Sequence, residues 1–311
     1  MTRPAPDTSL FITGASGFLG RSLLRRLSLG PERTVSCLSR HPAQLEPTLP
    51  SPSNWRWIRG ELTDAASYAP ALKPADTVLH MAAATGKERP GVFTEVNVEG
   101  TRQLVESAAD AGVSRFIFVS SIAAKFPDKR HYPYAHSKLE AERIVKSSGL
   151  GWVIIRPTLV FGAGSPVLRG LIKLVKGPVG VIFGSGVVRV QPIDVDDVAD
   201  ILMHVCDQTE LAEQTIEVGG PDVLSFEDLL RRIRGRVSKR SGGVVHIPLA
   251  PLRTLLAALE PALLPLLPFG AGQLAAFAND STADRHPLVE TCLPRMKTID
   301  TMLDVVASSH G

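Results

Sequence analysis

The sequence predicts an α/β fold, a doubly wound parallel sheet with a smaller C-terminal lobe. Three features predict it. Short unbroken apolar runs recur along the first half of the chain, stretches with apolar residues at helical spacing separate them, and a glycine-rich turn directly follows the first run. Strands alternating with helices in this way build βαβ units and a parallel sheet. Such a sheet is covered on both faces, so its strands are apolar throughout instead of alternating.

Leu10-Phe11-Ile12 reads as the first strand, and Leu19, Leu23, Leu24 and Leu27 place a helix over Phe18–Leu29 that Gly30-Pro31 stops. Further strands are predicted at Thr34–Leu38, Trp55–Ile58, Thr77–Ala82, Arg115–Ser120 and Trp152–Ile155, with helices at Ala65–Leu72, Val96–Ala111 and Pro133–Ser148 between them. After Thr158 the pattern changes. Gly and Pro crowd Gly162–Gly186, a helix follows at Asp194–Cys206, a strand at Thr215–Val218, and an amphipathic helix at Phe226–Ile233. Residues 1–165 therefore read as the sheet core, with 190–220 returning to it, and residues 166–189 and 221–311 as a second, threaded lobe.

Composition narrows the function. The 311 residues suffice for a full core, and 44% apolar against 21% charged residues is ordinary globular composition. A net charge of +3 argues against nucleic acid, and the pairs Arg25-Arg26, Arg231-Arg232 and Lys239-Arg240 read as solvated helix faces. Cys37, Cys206 and Cys292 are scattered and form neither a disulfide framework nor a metal cluster, so no metal and a reducing, cytoplasmic setting are expected. Met1–Ser9 lacks the apolar core of a signal peptide. The longest apolar tract, Leu249–Phe277, is broken by Arg253, Glu260 and four prolines, so a spanning helix is not expected. Peripheral membrane contact through Leu249–Leu274 is the alternative to a place in the lobe's core. A monomer or homodimer is expected.

The turn Thr13-Gly14-Ala15-Ser16-Gly17-Phe18-Leu19-Gly20 carries chemistry. A nucleotide pyrophosphate needs backbone N–H groups aimed at it, and a helix N-terminus supplies them. Gly14 permits the tight turn, Gly17 lets the backbone approach phosphate, and Gly20 lets the helix pack closely on the sheet. Ser16, Phe18 and Leu19 complete the cradle. About twenty residues on, an acid would hold the ribose of NAD. Ser39-Arg40 stands there instead, and an arginine can accept a 2′-phosphate, so NADP is expected, with NAD the alternative.

Tyr134-Ala135-His136-Ser137-Lys138 completes a set of motifs. With it go Leu79-His80-Met81-Ala82-Ala83, Asn97-Val98-Glu99-Gly100-Thr101, Val119-Ser120-Ser121 and Arg156-Pro157-Thr158-Leu159-Val160-Phe161-Gly162. In their order and spacing the chain resembles the extended short-chain dehydrogenases/reductases, the NAD-dependent epimerase/dehydratase group, over residues 9 to 230. Within the group it looks most like atypical members similar to a complex I accessory subunit, and like hydroxysteroid and dihydroflavonol reductases. The resemblance implies a Rossmann core and a catalytic set of Ser121, Tyr134 and Lys138. It also implies cofactor contacts at Glu61, Leu62, Ala82, Ala83, Asn97, Pro157 and Thr158. Glu61 stands where the family commonly has Asp, a departure of one methylene in the acid's reach.

The chemistry stands on its own terms. Tyr134 and Lys138 lie four apart on a predicted helix and share a face. An ammonium beside a phenol lowers its pKa, making Tyr134 a general acid/base for an alcohol or carbonyl oxygen. Ser121 can bond the same oxygen, and Lys138 can also hold ribose hydroxyls. His80 reads as structural, and His136 as pointing off the catalytic face. Where nucleotide-sugar enzymes of the group continue Val-Tyr-Gly, this chain has Ile122-Ala123-Ala124-Lys125-Phe126-Pro127. That favours an oxidoreductase acting on an apolar small molecule, in a pocket lined by Phe161, Leu168, Ile182 and Phe183. The alternatives are a non-catalytic NADP(H)-binding sensor or accessory subunit, and a nucleotide-sugar epimerase/dehydratase with Arg169 or Arg189 as diphosphate clamps.

Overall fold

Seven short strands form the central sheet: β1 (Leu10–Thr13), β2 (Val35–Ser39), β3 (Trp55–Arg59), β4 (Thr77–His80), β5 (Arg115–Val119), β6 (Gly151–Pro157) and β11 (Gln214–Val218). β1, β2, β4 and β5 are buried along their whole length, while β3 and β11 are partly exposed because each has a neighbour on one side only. In the computed structural model, which describes residues 8–45, 48–49, 52–238, 243–252, 254–256 and 271–308, these seven strands order as β11-β6-β5-β4-β1-β2-β3. All pair in parallel. β1 lies between β2 and β4, so the winding reverses there, and the crevice beyond the carboxyl ends of β1 and β4 is the natural ligand position.

Helices cover both faces. Leu23, Leu24 and Leu27 of α1 (Phe18–Leu27) pack with Val198, Ile201, Leu202 and Val205 of α8 (Val195–Asp207) against one face. Leu104, Val105 and Ala108 of α5 (Gly100–Asp110) and Ala141 and Val145 of α6 (Pro133–Lys146) cover the other. A third cluster joins Leu168, Leu171, Ile172 and Val175 of α7 (Pro166–Val175) to Phe226, Leu229, Leu230 and Ile233 of α9 (Phe226–Val237). Phe161, Leu168, Ile182 and Phe183, expected to line a pocket, are fully buried in this cluster. Their surfaces are spent on the lobe's own packing and are not open to a ligand.

Several elements differ from the sequence reading for local reasons. The helix expected at 65–72 breaks at Tyr68 into a 3₁₀ turn (Ala65–Ser67) and Ala69–Leu72, with Pro70 in the first turn of the second piece. The helix expected from Val96 starts as a π-helical stretch, Thr94–Glu99, before α5. β4 ends at His80, two residues early, because Ala82 N donates to the Thr13 hydroxyl (3.2 Å) and Ala84 N to Asn97. α7 lies in the Gly/Pro-rich stretch where no helix was expected. Ser165 caps it by accepting from Leu168 N (3.2 Å), Pro166 fits its first turn, and Leu168, Leu171, Ile172 and Val175 give it a buried face.

Among the described residues no helix is long and apolar enough to cross a membrane. Of the apolar tract Leu249–Phe277, residues 253 and 257–270 lie outside the described residues, and with them the expectation of membrane contact.

Candidate active site

The glycine turn joins β1 to α1. Gly14 has φ +74°, and a Cβ there would lie 2.6 Å from the backbone N of Ala82. The close approach of β1 to the end of β4 thus needs a residue without a side chain. A Cβ on Gly20 would lie 2.3 Å from Gly14 O and 2.5 Å from Ala15 O. Gly20 is therefore required by the turn's own carbonyls, a tighter constraint than helix-on-sheet packing. Gly17 is the N-cap of α1, no side chain caps the helix, and no acid sits in its first turn. Ser16 and Gly17 are exposed. This free, positive helix end beside a Cβ-free cradle fits a pyrophosphate. Gly20→Ala should open the turn, at a cost of roughly 1–3 kcal/mol for overpacking against rigid backbone. Paired urea melts and cofactor titrations check this; unchanged stability and affinity would refute the constraint.

A polar chain ties this turn to the next helix. The Thr101 hydroxyl donates to Asn97 O (2.7 Å), so it accepts from His80 Nε2 (2.9 Å). His80 Nδ1 then accepts from the Thr13 hydroxyl (2.6 Å), which itself accepts from Ala82 N. His80 is wholly buried, and burial, with the Lys138 charge adding, pushes its pKa down to about 3. It is a neutral structural spacer.

Asn97 does not cap a helix. Its amide holds the Ala84 backbone from both sides, accepting from Ala84 N (2.7 Å) and donating to Ala84 O (3.1 Å), and also donates to Ser137 Oγ (2.9 Å). Ser137 Oγ donates to Tyr134 O (2.8 Å). Asn97 thereby fixes both the loop beyond β4 and the first turn of α6.

Tyr134 sits on that first turn and Lys138 on the next, both facing the end of β5. The Tyr134 ring is half-buried between Phe93 (6.1 Å between centroids) and Tyr132 (5.9 Å). Burial raises its phenol pKa, and a hydrogen bond with Ser121 works in the opposite direction. Desolvation is the larger effect, so the net shift is upward, opposite to the lowering expected from the Lys138 ammonium. Lys138, 2% exposed, donates instead to Val119 O (2.8 Å) and lies 4.2 Å from the centre of the Phe118 ring. Burial pulls its pKa down to about 7, with Glu142 opposing. Ser121 lies two residues beyond the end of β5, and its Oγ accepts from Ala123 N (3.2 Å).

The depressed Lys138 pKa has a thermodynamic consequence. Between about 7 and its ordinary value of 10.5, the unfolded chain holds a proton on this amine that the folded chain does not. Lys138 therefore destabilises the fold most below pH 7, and the penalty fades as pH rises toward 10.5. Lys138→Met should raise stability by on the order of 2–4 kcal/mol at pH 6, with the gain shrinking by pH 10. Urea melts across that range test it; a pH-independent difference would contradict it.

One part of the site escaped the sequence reading. Glu142, 1% exposed, accepts from the Ser120 hydroxyl (2.5 Å) and from both arms of Arg156 (2.9 and 2.6 Å). Arg156 also reaches Glu217 (3.5 Å), which pairs with Lys125. This buried chain supports the strand end bearing Ser121 and the helix bearing Lys138. The signal was present, since Tyr134, Lys138 and Glu142 repeat every four residues on one helical face.

The other predicted contacts are distributed around the same edge. Leu62 is buried against Gly100, and Glu61 is exposed. Ala82 and Ala83 are half-buried beyond β4. Pro157 ends β6, while Thr158 donates its amide to Val218 O (2.9 Å) and its hydroxyl to Gln191 O. Ser39 is buried, its hydroxyl accepting from His41 N (3.2 Å), and Arg40 is exposed beside it. Of the two arginines considered as diphosphate clamps, Arg189 is paired with Asp280 (3.2 Å) and Arg169 is exposed on α7.

A doubly wound sheet with a phosphate-ready turn at its winding reversal is the architecture of the extended short-chain dehydrogenase/reductase class. The chain belongs to the NAD dependent epimerase/dehydratase family, which it matches over residues 10–219. It is similar to a UDP-glucose 4-epimerase of Vibrio cholerae, 28% identical over 250 residues that cover 72% of this chain and 74% of that protein. It is also similar to a ceramide reductase of Caulobacter vibrioides, 33% identical over 201 residues, 63% of this chain and 60% of that one. Among solved structures, a dTDP-glucose 4,6-dehydratase of Streptomyces venezuelae with NAD and TYD bound shares the fold. Its TM-score is 0.73 at 22% identity, covering 97% of this chain and 96% of that chain.

Proposed function

We propose that the protein is an NADP-dependent oxidoreductase that acts on a carbonyl or hydroxyl of an apolar small molecule. The observation that carries this reading is the cluster of Ser121, Tyr134 and Lys138 beside the winding reversal of the sheet. A bound nicotinamide would supply or accept the hydride. The protein's part is positional and protonic. Tyr134, held protonated at neutral pH by burial, donates its phenol proton to a carbonyl oxygen. Ser121 bonds both the phenol and that oxygen, fixing the direction of transfer. Lys138 is poised to exchange its bond to Val119 O for ribose hydroxyls. Gly14, Ser16, Gly17, Phe18, Leu19 and Gly20 would hold the pyrophosphate, and Ser39 and Arg40 the adenosine ribose.

The apolar character of the substrate is supported by the Phe93–Tyr134–Tyr132 ring cluster and by the names of two relatives, ceramide reductase and 3 beta-hydroxysteroid dehydrogenase type 7 of Mus musculus. A second reading, a nucleotide-sugar epimerase, is favoured by the Vibrio relative. Against it stand the Ile122–Pro127 stretch and the engagement of Arg189 with Asp280. NADPH oxidation measured against a panel of lipid and steroid ketones and aldehydes tests the proposal. Tight binding and turnover of a UDP-sugar, with none on that panel, would replace it with the second reading.

A further inference from the structure

β2 and β3 end together, with Ser39 paired to Arg59 in register. Side chains paired in this way leave the sheet on the same face. Beyond these ends lies a surface pocket of about 380 Å³ lined by Arg40, His41, Pro42, Ala43, Gln44 and Arg59. No carboxylate lines it. Neither arginine makes an ion pair or side-chain hydrogen bond among the described residues. Two unengaged guanidiniums facing one concavity repel each other, an arrangement that an anion relieves.

The position identifies the anion. A dinucleotide whose pyrophosphate lies on the N-terminus of α1 carries its adenosine ribose outward to the end of the adjacent strand, β2. A 2′-phosphate on that ribose presents three strong acceptor oxygens, which suits two planar guanidinium forks. We propose that Arg59, reaching across from β3, is the second cation of a 2′-phosphate subsite shared with Arg40, and a determinant of NADPH over NADH. The inference rests on the NADP reading above but adds a residue to it.

The test is binding alone, by fluorescence titration of the full chain with NADPH, NADH and adenosine 2′,5′-bisphosphate, for wild type, Arg40→Ala, Arg59→Ala, Arg59→Lys and Arg59→Glu. Arg59→Ala should weaken NADPH and the bisphosphate about tenfold or more, and leave NADH within about twofold. Arg59→Lys should retain part of the preference, and Arg59→Glu should reverse it. If wild type prefers NADPH and Arg40→Ala abolishes that preference while Arg59→Ala leaves it intact, the Arg59 subsite is wrong and the NADP reading stands. If wild type binds NADH as tightly as NADPH, both are wrong. Since Arg59 is exposed, each variant's urea melt should match wild type.

Discussion

Tyr134→Phe is expected to lower turnover on the best substrate by about 10²–10⁴-fold while leaving NADPH affinity within about twofold. The substitution removes one hydroxyl and keeps the ring. The Phe93 and Tyr132 contacts that hold the ring therefore persist, and the Asn97–Ser137 clamp on the backbone of Tyr134 is untouched. Only the proton and the bond to Ser121 are lost. Ser121→Ala should lower turnover through the same oxygen with little change in cofactor affinity. Lys138→Ala should damage both binding and turnover, because one ammonium serves the ribose and the acid/base site. A Tyr134→Phe enzyme as fast as wild type would show that the proton comes from elsewhere. A protein that binds NADPH tightly but turns over nothing across a broad panel would be the sensor or accessory module.

The second large effect is one of stability. Glu142→Ala should destabilise the fold by about 3–5 kcal/mol, the range for removing one member of a buried ion pair. It strips Arg156 of its two-pronged partner and leaves only Glu217 at 3.5 Å. It also orphans the Ser120 hydroxyl at the base of the candidate site. Glu142→Gln keeps acceptor and shape and should cost clearly less. Urea denaturation of both variants decides the matter; equal, small losses would mean that the chain of charges contributes only packing. Because Glu142 opposes the burial of the Lys138 ammonium, its removal should also push the Lys138 pKa further down, and with it the pH below which the ammonium is available.

Much of this was legible in the residues. The inner strands stand out because they are short runs buried on both faces, whereas the edge strands β3 and β11 carry exposed polar residues that blur the pattern. The helices stand out because their apolar residues repeat at helical spacing. Tyr134 and Lys138 are legible since four residues on a helix fix a shared face whatever surrounds it. The errors fall where spacing says nothing about neighbours. Phe161, Leu168, Ile182 and Phe183 are as apolar as pocket-lining residues, but α7 and α9 close over them. The Gly/Pro-rich run concealed α7, although Ser165-Pro166 and the leucine spacing after it were a start signal.

The sequence by itself determined the sheet's composition, the place of the glycine turn, and the Tyr/Lys pair, because each depends on residues near one another along the chain. Only the tertiary structure decided the rest. It set Gly20 against the carbonyls of its own turn, aimed Asn97 at Ala84, bound the Lys138 ammonium to Val119 O, and buried Glu142 against Arg156. It also brought Arg59 to the pocket of Arg40. The reason is physical. Ionisation and hydrogen-bond choice depend on what excludes water from a group, and those neighbours come from strands and helices distant in sequence.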